Sequence, residues 1–379
     1  MNRESNCDIA VGECLAKIAR QPKVKTTDYL ESGAFPVIDQ GMKFVGGYVN
    51  DESLLYTGPL PVVIFGDHNR HIKFVKSPFA VGADGTQLLY PDERFDISYF
   101  YYAIRALPLK NYGYERHFKY LKEERLRVWP LDGQRRIAAI LAAYDDLIEN
   151  NTRRIEILEE MARRIYEEWF VRFRFPGHEG MRMVESELGL VPAEWRVTRF
   201  TDVFDVRYGK GLGTRDLLAD GQYPVYGAGG VIGRYDSFIA EGPTCLITSR
   251  GNGSGTVWRT VEKAFVTNNS FLVYPKADFT GLNFGFAELF AGQANVKTVV
   301  SGSAQPQLTL DGLAGLQVIA PERAVLVRFD ALVSPMFDLA NKLHFVVCNL
   351  RTTRDLLLPK LISGELSVTE MFEPEALAA

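Results

Sequence analysis

Two long segments carry apolar residues at steps of three and four, and the sequence between them reads as short strands broken by turns. The first stripe runs Ile137, Leu141, Tyr144, Ile148, Asn151, Ile155, Leu158, Ala162, Ile165 and Trp169. This is the heptad seam of a coiled coil, with Glu, Asp and Arg filling the other faces. Asp132 after Pro130 is the expected N-cap, and Pro176-Gly177 the expected stop. A second stripe follows Pro321, with Phe329, Leu332, Met336, Leu339, Leu343, Val346, Leu350, Thr353 and Leu357. Pro335 is expected to kink or delay this helix, because proline lacks the amide and clashes one turn back, and Pro359 and Gly364 are expected to end it. Two helices of about 40 residues would span about 60 Å and can bury each other's stripes. The seam is then Ile137, Leu141, Ile148, Asn151, Ile155 and Leu158 on the first helix, with Leu332, Leu339, Leu343 and Leu350 on the second. Asn151 either fixes the register or sits at a wet end of the seam.

The segments before each helix repeat one another. Phe35-Pro36-Val37 returns as Tyr223-Pro224-Val225, each leading into glycine-rich sequence. Residues 62–67 resemble 245–250, with Val62 set against Cys245. Phe79-Ala80-Val81 resembles Phe265-Val266-Thr267, Leu89-Tyr90-Pro91 resembles Val273-Tyr274-Pro275, and residues 126–130 resemble 316–321. The order is kept at an offset of roughly 190 residues, as a duplicated half-protein would give. Within each copy, short apolar runs such as 61–65 and 271–274 read as strands between turns.

Composition narrows the class. The 379 residues are 46% hydrophobic and 24% charged, as in ordinary globular proteins, and long enough for several domains. No apolar run approaches a membrane span, and the N-terminus lacks the pattern of a secretory signal. The net charge of -4 excludes a simple polycation but not a local reader of DNA. Cys7, Cys14, Cys245 and Cys348 form no CxxC pair, which speaks against a zinc site or disulfide framework and fits a reducing cytoplasm.

Catalytic signals are missing. There is no phosphate-binding GxxxxGK[ST] loop, no HExxH and no aromatic-flanked Pro-Pro of an amino-methyltransferase. The glycine-rich stretches 209–213 and 251–255 lack the full dinucleotide fingerprint and read as turns. No catalytic, cofactor-binding or metal-binding residue is therefore expected. Candidate contacts to nucleic acid are polar loops. His68, Asn69 and Arg70 form a planar, hydrogen-bonding loop whose counterpart carries Arg250 and Asn252. Arg and Asn pair bidentately with guanine and adenine edges. A solvated hairpin explains the same residues. Lys110, Tyr112, Arg116 and Lys119 interleave charge with aromatic surface, suited to phosphate contact or to a tethered loop. Asn295 and Lys297 lie in a polar stretch with Gln293, Ser301, Ser303 and Gln305 at the matching place in the second copy, and Lys210 in a glycine-rich turn. Matching scaffolds with diverged tips suit two different recognition surfaces, although loop drift would look the same.

Further motifs carry a resemblance. Residues 131–141, Leu-Asp-Gly-Gln-Arg-Arg-Ile-Ala-Ala-Ile-Leu, are similar to the opening of the central conserved region of Type I restriction–modification specificity (S) subunits. Residues 169–178 resemble the end of that region, residues 188–195 and 208–211 the entry to the second recognition domain, and residues 357–366 the C-terminal conserved motif. The second helix opens without the Gln-Arg-Arg-Ile of the first, a departure from the family pattern. The resemblance implies an α+β chain with two similar mixed α/β target recognition domains, separated by two long antiparallel coiled-coil helices in a pseudo-twofold repeat. The domains would be residues 1–130 and 179–320, and the helical segments 131–178 and 321–379. It also implies a subunit without catalytic residues that reads a bipartite, asymmetric site in double-stranded DNA. Two methyltransferase (M) subunits would dock on the helices and bind S-adenosylmethionine, and motor-nuclease (R) subunits would use ATP and Mg. Two rivals remain at this stage: a methyltransferase or nuclease acting alone, and a silent, scaffold-only cassette.

Overall fold

The computed structural model describes residues 7–83, 85–110, 113, 115–276, 279, 281–302 and 305–368. The chain divides into two compact units, Met1–Ile148 with Asn349–Ala379, and Glu149–Cys348. Both chain crossings between them fall inside helices.

The first unit begins with β1 (Cys7–Ala10) and α1 (Val11–Cys14). It continues through β2 (Phe35–Ile38), β3 (Gly47–Val49), β4 (Val62–Gly66), β5 (Ile72–Val75), β6 (Ala80–Val81) and β7 (Thr86–Leu89). Then come α2 (Ile97–Ala106), α3 (Phe118–Glu123), β8 (Arg125–Val128) and the long α4 (Leu131–Tyr166), which runs on into the second unit. Its strands form the orders β3-β2-β6 and β5-β4-β7 and the pair β1-β8. All five residues of β4 are buried. Val63 and Phe65 enter the core shared with α2 and α4, while Val62 and Ile64 enter a second core with Ile38, Val75 and Phe79. A strand covered on both faces needs a continuous apolar run, which Val-Val-Ile-Phe supplies.

The second unit opens on the hairpin β9 (Met183–Ser186) and β10 (Gly189–Pro192), then β11 (Arg196–Arg199), α5 (Phe200–Val203) and β12 (Phe204–Tyr208). Next are β13 (Tyr223–Tyr226), β14 (Val231–Tyr235), β15 (Cys245–Thr248), β16 (Val257–Arg259), β17 (Phe265–Val266) and β18 (Ser270–Pro275). The unit continues with α6 (Phe284–Gln293), α7 (Leu310–Gly315), β19 (Gln317–Ala320) and α8 (Arg323–Ser363), which returns to the first unit. The orders β14-β13-β17 and β18-β15-β16 and the pair β11-β19 repeat the three strand groups of the first unit, and β12 adds a fourth strand beside β18. Each copy has a parallel strand pair in matching places, Val37 with Ala80 and Val225 with Phe265.

The pairing corrects the repeat register by one residue in two places. Val63 faces Leu89 as Cys245 faces Val273, so Val63, not Val62, matches Cys245. Ala80, not Phe79, matches Phe265. Strands buried on both faces have no polar alternation to fix such an alignment.

The long helices pair within each unit, and later residues of α4 meet earlier residues of α8. In the first unit Ile137, Ala138 and Leu141 share a core with Leu358 and Leu361, and Arg354 Nη1 donates to Asp145 Oδ1 at 2.5 Å. In the second, Phe329 lies 4.8–5.9 Å from the rings of Tyr166, Trp169 and Phe170. On α4, Ile137, Leu141, Ile148, Asn151 and Ile155 are buried and Leu158 half-buried. On α8, Leu343 is buried and Leu350 half-buried, but Leu332 and Leu339 are 45% and 39% exposed. They are not seam residues. The buried stripe is Phe329, Val333, Phe337, Ala340, Leu343 and Val347. Since α8 is apolar on more than one side, spacing alone permitted a wrong register.

The helix boundaries also differ from the sequence reading. Asp132 lies inside the first turn of α4 and pairs with Arg136 at 2.9 Å instead of capping. The helix closes in a π-turn, Glu167–Val171, before Phe173 turns to φ 56°, ahead of Pro176. Helix α8 runs through Pro335 and Pro359 to Ser363 and stops at Gly364, whose φ is 77°. Pro335 is exposed, as is Ala331, whose carbonyl loses the amide partner.

The family motif at the start of α4 has a structural task. Gln134 is fully buried. Its Oε1 accepts from Asp96 N at 2.8 Å, and its Nε2 donates to Arg94 O and Trp129 O at 2.8 and 2.7 Å. Asp96 in turn caps α2. In the second unit Asn283 caps α6 and its backbone N–H donates to Asp330 on α8 at 2.8 Å.

Candidate nucleic-acid interface

In the first unit, three connections meet at one edge. Asp67 follows β4 and is 2% exposed. Its amide donates to Gly85 O at 2.7 Å, and its carbonyl accepts from His117 N at 2.7 Å. Its carboxylate accepts from Phe118 N at 2.8 Å, and His117 Nδ1 lies 3.0 Å from its carbonyl. Asp67 and His117 are therefore a structural clasp between two loops. Asn69 donates through Nδ2 to Gln40 O and accepts from His71 N at 3.0 Å, while His68 N donates to Gln40 Oε1 at 3.2 Å. Arg70 adopts φ 63° and donates from Nη1 to Leu109 O at 2.8 Å.

Of the candidates on this edge, His68, Lys110, Arg116 and Lys119 are exposed, and Asn69 and Arg70 half-buried. Lys119 Nζ pairs with Glu115 at 2.8 Å, a hydrogen bond that raises its pKa. Tyr112 lies outside the described residues. The side-chain amide of Asn69 is occupied by Gln40 O and His71 N, which leaves His68, Arg116 and Lys110 as the open side chains.

The β2–β3 connection, residues 39–46, joins the same edge and was not among the residues the sequence suggested. Buried Lys73 donates from Nζ to Lys43 O at 2.6 Å and Phe44 O at 3.2 Å, with Asp39 Oδ1 3.6 Å away. Burial pushes the Lys73 pKa down, and Asp39 opposes that shift. Tyr29 donates to Asp39 at 3.2 Å, and burial followed by the Asp39 charge pushes its pKa up to about 12. The sequence signal for this loop is an apolar Met and Phe inside a glycine-bounded turn, Gly41-Met42-Lys43-Phe44-Val45-Gly46.

The second unit builds its edge from glycine and hydroxyls. Lys210 N donates to Val266 O at 3.0 Å, and its carbonyl accepts from Asn268 N at 3.1 Å. A Cβ on Gly209 would lie 2.2 Å from Thr267 O, so that close backbone approach requires glycine. Thr248 Oγ1 donates to Ala228 O at 2.7 Å, Ser249 Oγ to Asn268 O at 3.2 Å and Ser270 Oγ to Gly227 O at 3.0 Å. The β15–β16 turn is tied to the later loop by Gly251 N to Pro306 O at 3.0 Å and Ser254 Oγ to Pro306 O at 2.8 Å. Gly255, at φ 81°, leaves room for Lys297, whose Cγ would be 2.9 Å from a Cβ there. Lys210, Arg250, Asn252, Asn295 and Lys297 are all exposed. Their side chains make no hydrogen bond or ion pair among the described residues. This edge thus ties down its hydroxyls and backbone and leaves long cationic and amide side chains free, a set suited to phosphates and base edges.

Comparison with known proteins agrees with the architecture. The family model for the Type I restriction modification DNA specificity domain matches residues 192–324, which is one copy of the repeat. The chain is 25% identical over 333 residues to the Type I restriction enzyme MjaIX specificity subunit of Methanocaldococcus jannaschii, covering 79% of this chain and 76% of that protein. The chain thus carries a Type I restriction modification DNA specificity domain and is similar over most of its length to a Type I specificity subunit. The MjaVIII specificity subunit of the same organism is 25% identical over 147 residues, 39% of this chain and 28% of that protein. The crystal structure of the Type I restriction-modification system S subunit from M. genitalium shares the fold, with a TM-score of 0.61 and 16% identity over 96% of this chain and 97% of that one. Specificity subunits are the non-catalytic part of the restriction–modification enzyme. No helix among the described residues is long and apolar enough to cross a membrane.

Proposed function

We propose that each unit of this specificity subunit reads one half of a bipartite, asymmetric DNA site, and that the long helices dock two methyltransferase subunits and, through them, the motor-nuclease subunits. The observation that carries this reading is the repeated order of three strand groups with unlike edges. One edge offers His68, Lys110 and Arg116, and the other Arg250, Asn252 and Lys297. Two unlike readers on one scaffold suit an asymmetric site. They also multiply specificity, since each wrong base pair costs about 1–3 kcal/mol. Residues 1–130 and 179–320 are the proposed recognition domains, and residues 131–178 and 321–379 the proposed docking helices. S-adenosylmethionine, ATP and Mg belong to the partner subunits in this reading, and the complex works in the cytoplasm. Phosphate neutralisation by partners accommodates the net charge of -4.

The test is a long-read methylome of cells expressing the cognate methyltransferase subunit with and without this chain. A bipartite adenine-methylation motif that disappears without the chain is the expected result. A methylome that does not depend on the chain would replace this reading with a silent, scaffold-only cassette.

A further inference from the structure

The two units share one feature that the polar candidates do not cover. In the first, the β2–β3 connection carries Met42 and Phe44, exposed by 86% and 52%. In the second, the matching β13–β14 connection is followed at once by Val231 and Ile232, exposed by 57% and 47%. Single exposed apolar residues are ordinary on protein surfaces. A pair at the same hairpin of both copies, where the tip sequences otherwise differ, is a repeated feature.

Both tips are fixed to the reading edge. In the first unit Lys73 holds the carbonyls of Lys43 and Phe44, Asn69 holds Gln40 O, and Val45 packs into the core beneath. In the second, Thr248 and Ser270 hold Ala228 O and Gly227 O, and Gly227 N donates to Gly230 O at 2.8 Å. A Cβ on Gly227 would lie 2.8 Å from Ile232, so glycine lets that side chain lie across the turn. Exposed Lys43 sits between the two apolar residues of the first tip, beside the edge that presents His68. Apolar side chains on a pre-ordered tip, with Lys43 between those of the first, match duplex DNA. Lys43 suits a phosphate, and the apolar side chains suit thymine methyls or an opened base step.

We propose that Met42 and Phe44 in the first unit, and Val231 and Ile232 in the second, are apolar specificity determinants that touch the bases of their respective half-sites. This rests on the DNA-reading function proposed above. The test uses the full chain assembled with its methyltransferase subunit, a duplex carrying the motif from the methylome and a scrambled duplex. M42S/F44S is expected to lose about tenfold or more in cognate affinity and to relax the first half-motif alone. V231S/I232S is expected to do the same to the second half-motif. Binding to the scrambled duplex and assembly of the complex should stay unchanged, and M42L/F44L should keep cognate affinity within about threefold. Cognate affinity and motif at wild-type levels in both serine variants would overturn the proposal. So would loss of assembly, which would make the tips protein-docking elements. A wild-type complex that does not prefer its motif to the scrambled duplex would overturn the DNA reading itself.

Discussion

The first unit closes its candidate edge with a buried carboxylate, and the second closes the corresponding edge with glycine and hydroxyls. The matching carbonyls are Thr86 O and Ser270 O. The former receives the ammonium of Lys23 at 2.9 Å, the latter the backbone amide of Gly209 at 3.0 Å. Asp67 and Ser249 also match, since each donates its amide to the following turn and accepts through its carbonyl from the element leading into the next short helix. The strand frame demands that these backbone groups be satisfied, but not by any given side chain. A conserved frame with free choice of closure is what allows two copies to present different side chains.

The sharpest way to break this comparison is to exchange its solutions. Gly209→Val should destabilise the second unit by about 3 kcal/mol or more, because the new side chain meets backbone atoms that cannot yield. Its counterpart Lys23→Val should cost about 1 kcal/mol, the worth of one hydrogen bond. Calorimetric unfolding of the two variants measures the contrast, and equal costs would refute the matched frame.

The helix stripe gives the next effect. Leu343→Ala should cost about 2–4 kcal/mol, whereas Leu339→Ala should stay within about 0.5 kcal/mol. Denaturant titration distinguishes them, and a reversed order would restore the stripe read from spacing alone. Asp67→Ala should cost about 2–3 kcal/mol by leaving the Phe118 amide and its neighbours unpaired, against about 1 kcal/mol for Ser249→Ala. The same unfolding experiment reports both. At the DNA level, Arg250→Ala should cost about 1–3 kcal/mol at the second half-site and relax its sequence. Lys297→Ala should weaken cognate and scrambled DNA alike and lower the salt slope by about 1. Binding isotherms across a salt series separate these last two effects.

The helices were the most legible part of the sequence, because a polar face makes the period of α4 unambiguous. Its buried residues Ile137, Leu141, Ile148 and Ile155 fall where the heptad puts them. Helix α8 misled the reading because Leu332, Leu339 and Val346 offer a second apolar stripe, exposed in the structure. The duplication was also legible, although its register slipped at Val62 and Phe79, in strands with no polar alternation. The candidate edge was legible as loops, but not how its side chains are bonded. Asn69 looked like a base reader and proves to be bonded to Gln40, a residue 29 positions away. Met42 and Phe44 were missed because a short glycine-bounded turn shows no period at all, and only the fold reveals that Lys73 holds it in place.

The central claim is that one scaffold carries two independent reading edges. The most direct measurement is the methylome of cells expressing the complex with R250A/N252A/K297A in this chain, set against the wild-type complex. The account predicts an unchanged first half-motif, an unchanged spacer and a relaxed or lost second half-motif. Equal change in both half-motifs, or no change in either, would contradict it.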